Sequence, residues 1–453
     1  MDSWTEKETA GSRIRDKRLQ SRLKKLLERL SKDPEESIPA AMEGWSETLA
    51  AYRFLDNDKV DYEGILEGHR QATEQRISKE AVVLLVQDTT FLTYGTDKEI
   101  GLGTIHETQS DWYLLHPTVA LTPGQVNLGI LGANFWQRPE KSIRHLRASK
   151  PIEEKESYRW LTGYQRACQV QARCPDTLVI SVADREGDIY EWLVDAQNRP
   201  LEEKAESIIR AKSNRRVDTE SSETQYLWET MSRSPMMGEL NLVIPRTKQR
   251  KARAVRLMLR AKSVELISRK GPPVSVNAVY AKEARPPRGD KAIEWMLLTS
   301  LAVDELAMAQ SIVGWYRCRW EIEVYFRILK HGCTIEDLRL ENDRRLSNCI
   351  AIYLIVAWRI HTITMTSRSY PDKNCQLIFT EKEWKTIYLM HKKKKPPKKP
   401  PKLNEITRML AQLGGFLATK NDGEPGAKTV WRGYRRLKEY VCAIELAHHV
   451  LLS

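Results

Sequence analysis

The chain has 453 residues, 29% of them charged and 41% hydrophobic, which suits two to four domains with a large buried core. A formal net charge of +13 points to a polyanionic partner, and thirteen tryptophans offer stacking surfaces for bases. Seven cysteines without a C-x-x-C pair speak against a disulfide framework or a zinc cluster. No apolar run approaches bilayer length, and M-D-S-W-T-E-K-E lacks the layout of a secretory signal, so a soluble, cytoplasmic protein without a membrane partner is expected.

Residues 11–32 read as an amphipathic helix. Leu19, Leu23, Leu26, Leu27 and Leu30 recur at helical spacing, and nine Lys/Arg oppose only Asp16 and Glu28. Two further helical segments, 36–43 and 45–55, complete a three-helix pattern that predicts a DNA-binding module within 1–70; a packed helical subdomain with a basic exterior is the plainer alternative. A-V-V-L-L-V-Q-D-T-T, residues 81–90, is a strand apolar on both faces that runs into Asp88. Strands at 112–121 and 126–135 flank Pro123-Gly124 and predict a hairpin.

A helix over 153–173 leads to T-L-V-I-S-V-A-D, residues 177–184, a second apolar run that ends in an acid, Asp184. D-R-E-G-D (184–188) opens a helix at I-Y-E-W-L, with Asp188 as its candidate cap. After the strand 208–212, this order resembles the ribonuclease-H-like α/β sheet, which places carboxylates at adjacent strand ends. Five strand candidates follow at 239–245, 253–261, 263–268, 275–281 and 293–300. They predict a separate antiparallel insertion, basic at K-Q-R-K-A-R (248–253).

Residues 315–330, W-Y-R-C-R-W-E-I-E-V-Y-F-R-I-L-K, have no Gly or Pro and predict one helix. At about 100° per residue, Tyr316, Arg319, Glu323 and Lys330 share one face, and Arg327 widens the arc slightly. Trp315, Ile322, Tyr325, Phe326 and Leu329 fall inward. Three cations beside one acid leave a stripe expected to bind an anion; a solvated face with spaced ion pairs is the alternative. A long apolar helix is predicted over 343–367. The lysine–proline run 391–402 predicts an extended, solvated linker, with an address tag or nonspecific phosphate contact as the other options. Two amphipathic helices follow, 403–413 and 429–447. They carry Leu410, Leu413, Trp431, Tyr434, Leu437, Tyr440 and Leu446, a candidate partner surface.

Asp88, Asp184 and Glu323 stand out together. Carboxylates are hard oxygen ligands suited to Mg²⁺ or Mn²⁺, and three of them drawn together repel unless a cation lies between. Two such ions serve an in-line displacement at phosphorus by activating the attacking oxygen and stabilising the leaving one.

The spacing Y-x2-R-x3-E-x6-K (Tyr316, Arg319, Glu323, Lys330) resembles the YREK signature of DDE cut-and-paste transposases of the insertion-sequence-four family, transposon-five type. D-T-T at 88–90 and D-R-E at 184–186 resemble that family's first two acidic blocks. A-Y-R-F near the N-terminus, W-M-L-L-T-S at 295–300, R-W-x-I-E at 319–323 and L-G-G-F at 413–416 extend the likeness along nearly the whole chain. Gly187 stands where alanine is expected, and Arg327 where lysine is.

The resemblance implies a ribonuclease-H-like mixed sheet with an antiparallel β insertion (about 213–302) within a catalytic domain over 71–370. An all-α DNA-binding domain (1–70) and a C-terminal helical dimerisation domain (371–453) would flank it. It further implies that Asp88, Asp184 and Glu323 bind two Mg²⁺ or Mn²⁺ ions and catalyse nicking at transposon ends, hairpin formation, hairpin opening and strand transfer into target DNA. Tyr316, Arg319, Arg327, Lys330 and Arg210 would hold phosphates. Trp295 would receive a base extruded at the hairpin, with Trp320 near the same helix face. Double-stranded DNA and a second copy of the chain, in a homodimer pairing two ends, are the implied partners, in a bacterial, nucleoid-associated setting. Two rivals remain open: a DNA-binding regulator without catalysis, separated by a Mg²⁺ nicking assay, and a ribonuclease-H-like nuclease, separated by cleavage of RNA–DNA hybrids lacking end sequences.

Overall fold

The computed structural model describes residues 4–94, 111–137, 150–218, 225–244, 252–269, 271–289, 291–419 and 422–451. The chain divides into two compact units. One comprises Met1–Arg76, Thr89–Glu140 and Glu321–Ser453; the other comprises Ile77–Asp88 and Lys141–Trp320.

In the first unit, Asp16 caps the helix Lys17–Lys32 by accepting from the Arg18 N–H, so this helix starts later than the predicted residue 11. Leu23, Leu26, Leu27 and Leu30 are buried on one side, which leaves most of the lysines and arginines to the other. Two helices unread in the sequence, Trp4–Thr9 and Tyr62–Ile77, meet at a buried cluster. Glu8 accepts from His69 Nδ1 and from two Arg76 nitrogens at 2.8 and 3.1 Å. His69 Nε2 accepts the Ile130 N–H at 3.0 Å, which assigns the ring proton to the nitrogen facing Glu8. Burial alone would raise the Glu8 carboxyl, but His69 and Arg76 hold it down at about 2.

The strands Thr90–Tyr94, Asp111–Leu121 and Asn127–Trp136 form an antiparallel meander. The predicted hairpin turn at Pro123-Gly124 is present, with Gln125 at φ 67°. The long apolar helix expected over 343–367 is present as Asp343–Ser369, and it corrects the expectation that no apolar run approaches bilayer length. Its 27 residues, with a mean hydropathy of 1.5 over an 18-residue stretch, satisfy the length and composition of a membrane span, yet 89% of that stretch is buried inside the protein. It is a core helix, packed on Lys17–Lys32, Trp45–Leu55, Asn127–Trp136, Glu321–His331, Leu403–Leu413 and Ala427–Leu451. Fully buried His361 lies between Asn127 (3.0 Å) and Glu321 (3.1 Å).

The C-terminal part adds a helix the sequence reading passed over, Glu381–Lys392, opened by a Thr380–Glu383 capping box. The helices Leu403–Leu413 and Ala427–Leu451 cross closely at Gly433, where a Cβ would lie 1.8 Å from the Leu410 carbonyl oxygen. That contact covers part of the expected partner surface from within the chain. Leu410, Trp431, Tyr434 and Leu437 are buried within the unit, Leu413 and Tyr440 are half-buried, and towards the distal end of the last helix Ile444 and Leu446 are exposed.

The second unit is built on three parallel strands, Val82–Gln87, Leu178–Ala183 and Glu206–Arg210. Val83–Gln87 and Val179–Ala183 are fully buried, as continuous apolar runs require when both faces are covered. Tyr158–Arg173 packs against them, and Gly163 permits the approach, since a Cβ there would lie 2.0 Å from the Gln87 amide oxygen. The insertion is antiparallel but not separate. Glu294–Thr299 pairs with Glu206–Arg210, Gly271–Glu283 pairs with Glu294–Thr299, and Arg253–Ser268 pairs with Gly271–Glu283, so one sheet continues through it. The candidates 253–261 and 263–268 are a single 16-residue strand, which also pairs with Gly238–Ile244 and Arg216–Asp218. Of the basic run 248–253, residues 248–251 lie outside the described residues. The fold is mixed α/β with a ribonuclease-H-like sheet, an N-terminal helical part and a C-terminal helical part.

Candidate active site at the strand tips

The strands Val82–Gln87 and Leu178–Ala183 pair in parallel with Val86 opposite Val182. Asp88 and Asp184 each follow two residues later, so the register brings both acids to the same end of adjacent strands, which run about 4.8 Å apart. Asp184 accepts the Glu186 N–H at 2.7 Å and so caps a short turn, Arg185–Gly187. That turn explains the glycine at 187: a Cβ there would meet the Ala183 Cβ at 2.5 Å, with Trp160 and Trp192 close behind. Asp188 does not cap the next helix, as the sequence suggested. Ile189 takes that position, while Asp188 accepts the Lys212 and Ser213 N–H groups at 2.7 and 3.2 Å and pairs with Arg215. It therefore clamps the chain just beyond Arg210, a role no local spacing signals.

The predicted single helix over 315–330 is broken. Leu306–Cys318 ends at Arg319, and Glu321–His331 starts anew after Trp320. The Arg319 and Trp320 N–H groups reach back three residues rather than four, to Tyr316 and Arg317, both at 3.1 Å.

The break aims Arg319 at the strand tips. Its side chain, 11% exposed, pairs through the guanidinium with Asp88 Oδ2. Burial alone would lower this guanidinium, yet Asp88, Tyr316 and Asp184 together keep it above its usual value. Buried Tyr316 meets Trp295 edge-on, with centroids 5.6 Å apart at 66°. Trp295 lies on Glu294–Thr299, two residues from Leu297, the partner of Arg210 across the sheet; Arg210 donates to the Glu294 carbonyl at 3.3 Å. Trp320 is 61% exposed, with the Arg319 guanidinium 5.6 Å from its ring centre. Asp88, Asp184, Arg319, Tyr316, Trp295, Trp320 and Arg210 all belong to the second unit.

Glu323, Arg327 and Lys330 belong to the first unit, on Glu321–His331. Ile322, Tyr325, Phe326 and Leu329 are buried on one side of that helix as expected. Glu323 lies half-buried in its first turn and Arg327 is exposed. Lys330 pairs with Glu336 at 3.2 Å and donates to the Phe91 carbonyl. The stripe is therefore less cationic than the sequence implied, because Asp88, far off in sequence, matches Arg319 and the nearby Glu336 matches Lys330.

Among the described residues, no three His, Cys, Asp or Glu side chains form a ready-made metal cluster. The two strand-tip carboxylates nonetheless fit a hard divalent cation. They are oxygen donors in register, and the guanidinium drawn onto Asp88 marks a demand for positive charge there.

Three family models match in chain order. Residues 1–60 match one described as transposase DNA-binding, 188–359 one described as transposase DDE domain, and 355–450 one described as transposase Tn5 dimerisation domain. The chain belongs to the DDE transposases. The C-terminal match makes it one of the Tn5 type, so it is an enzyme that binds DNA and carries its own dimerisation domain. DDE transposases generally use divalent metal ions. Glu323 and its flanking cations fall inside the DDE match, whereas Asp88 and Asp184 precede it.

Proposed function

We propose that this transposase moves its element by cut-and-paste, with Asp88, Asp184 and Glu323 as the metal-binding acids of a site that takes two Mg²⁺ or Mn²⁺ ions. The observation that carries the reading is the pair of acids in register at adjacent strand tips, with Arg319 drawn onto them. Bound divalent ions would supply Lewis-acid activation of the attacking oxygen and charge stabilisation of the leaving one. Each step is one in-line displacement: an oxygen bonds to phosphorus as the 3′-oxygen of the cut strand departs and takes up a proton. Water is the nucleophile in nicking and hairpin opening; a 3′-hydroxyl is the nucleophile in hairpin formation and strand transfer.

The chain's own residues orient the backbone for these displacements. Arg319, positioned by the turn at 319–320, offers a planar fork to a phosphate once Asp88 is otherwise neutralised. Tyr316, Arg327, Lys330 and Arg210 hold further phosphates. Trp295, braced by Tyr316, receives an extruded base, and exposed Trp320 offers a second stacking face. Residues 1–70 grip the element end, 71–370 cut it, and 371–453 pair two subunits in a synaptic homodimer. The exposed Ile444 and Leu446 favour the far end of the last helix as that subunit contact. The setting in this reading is the bacterial nucleoid.

The test is incubation of the purified protein with duplexes that carry its element's ends, in Mg²⁺, followed by denaturing electrophoresis. Nicked, hairpin and joined products are expected in that order of appearance. End binding without a nick in either Mg²⁺ or Mn²⁺ would establish the regulator instead, and cleavage of RNA–DNA hybrids lacking ends would establish the nuclease.

A further inference from the structure

Residues 391–402, H-K-K-K-K-P-P-K-K-P-P-K, hold seven lysines, four prolines and no acid. All seven lysines are exposed, while the four prolines are half-buried. The run is not the free linker its composition predicts, because both ends are pinned. At one end the helix Glu381–Lys392 closes on Lys393, whose φ is 54° and whose N–H donates to the Leu389 carbonyl at 2.9 Å. At the other, Asn374 bridges to Lys402, the Cys375 N–H donates to the Pro401 carbonyl at 3.1 Å, and Lys402 pairs with Asp372 at 2.6 Å. The flanking helices pack on each other, so the loop stays within one folded body.

Proline fixes φ and brings no N–H that needs a partner. Two Pro-Pro pairs laid against the protein therefore stiffen the loop and leave its lysines outward, so little further ordering is needed on binding. Apart from Lys402, none of these lysines makes an ion pair among the described residues. Six positive charges crowded within eight residues repel one another, and only a polyanion relieves them all at once. A duplex strand presents one phosphate every ~3.4 Å, a spacing that a run of adjacent lysines matches. Lysine acts on phosphate as a point charge and reads no base.

We propose that the loop 391–402, within the dimerisation segment, is a sequence-independent contact to the backbone of duplex DNA, distinct from the N-terminal DNA-binding segment. The inference is independent of the roles given to the acids, and its test needs no catalysis.

The experiment replaces Lys392, Lys393, Lys394, Lys395, Lys398 and Lys399 by Gln in the full-length protein. Binding to a duplex without element ends is then measured between 50 and 200 mM salt. Each lost phosphate contact lowers the slope of log K against log salt by about 0.9, so a drop of about 2 to 5 is expected. The six-fold Lys→Arg variant should keep the wild-type slope. Thermal midpoint and dimer mass should be unchanged in both. An unchanged slope in the Gln variant overturns the proposal. So does loss of dimer mass in that variant, which would make the loop a subunit contact, or lost binding to phosphatidylserine vesicles with DNA binding intact.

Discussion

Two carboxylate–arginine contacts in this protein look alike in a list of ion pairs and differ in what surrounds them. Glu8 is 3% exposed at its side chain and is held by His69 and Arg76 from a second helix, while His69 in turn secures a strand N–H. Asp88, 14% exposed, stands at a strand tip beside Asp184 and takes its arginine from a broken helix. The first arrangement closes a gap between helices, and loss of the Glu8 carboxylate leaves His69 and Arg76 without their shared partner. The second gathers like charges at an accessible edge, where they oppose each other until a cation arrives. Residue type does not separate a structural acid from a working one; satisfaction and access do.

The sharpest break of that contrast is Asp184→Asn. Nicking should fall at least ~1000-fold, about 4 kcal/mol in barrier, while the thermal midpoint holds or rises as like-charge repulsion is relieved. A large loss of midpoint would place Asp184 with Glu8 instead. Glu8→Ala should do the reverse, at a cost of about 3–5 kcal/mol in chemical denaturation, with residual folded protein still nicking.

Arg319→Ala should tighten Mn²⁺ binding in titration calorimetry by removing a competing cation from Asp88. Arg319→Lys should cost roughly 10- to 100-fold in nicking, because a point charge replaces a fork. Acid provides a gentler test. The folded Glu8 carboxyl lies at about 2 against an ordinary 4.5. The stability it contributes is therefore fully present above about pH 4.5 and fades as pH falls toward 2. Glu8→Gln should flatten that part of the acid denaturation curve, and an unchanged curve would assign it to other groups. Smallest is Trp295→Ala, expected to slow hairpin formation more than first-strand nicking, by the ~1–3 kcal/mol that stacking returns. Equal loss in both steps would make Trp295 a packing residue for Tyr316.

Much of the site was legible because it follows from local pattern. Apolar runs closed by Asp88 and Asp184 mark strand tips whatever the rest of the chain does. Helix burial at Ile322, Tyr325, Phe326 and Leu329 likewise follows from spacing alone. What escaped depends on distant partners. The stretch 315–330 has no helix breaker, and its interruption coincides with the pairing of Arg319 and Asp88, 231 residues apart in sequence. The insertion looked separate because nothing in residues 293–300 announces pairing with 206–210. The last helix looked like a partner surface because an apolar stripe does not say whether its cover is another chain or, as for Trp431 and Leu437, its own.

The long helix Asp343–Ser369 serves as a common beam for parts usually named as separate modules. Seated on it are the basic helix Lys17–Lys32, the helix bearing Glu323 and the helices of the dimerisation match, and that match itself begins partway along it, at residue 355. Borders drawn by sequence likeness therefore cut through a single timber. Recombining the end-gripping, cutting and pairing parts with those of a cousin would require this helix to be re-fitted on every side at once, which favours their inheritance as one piece.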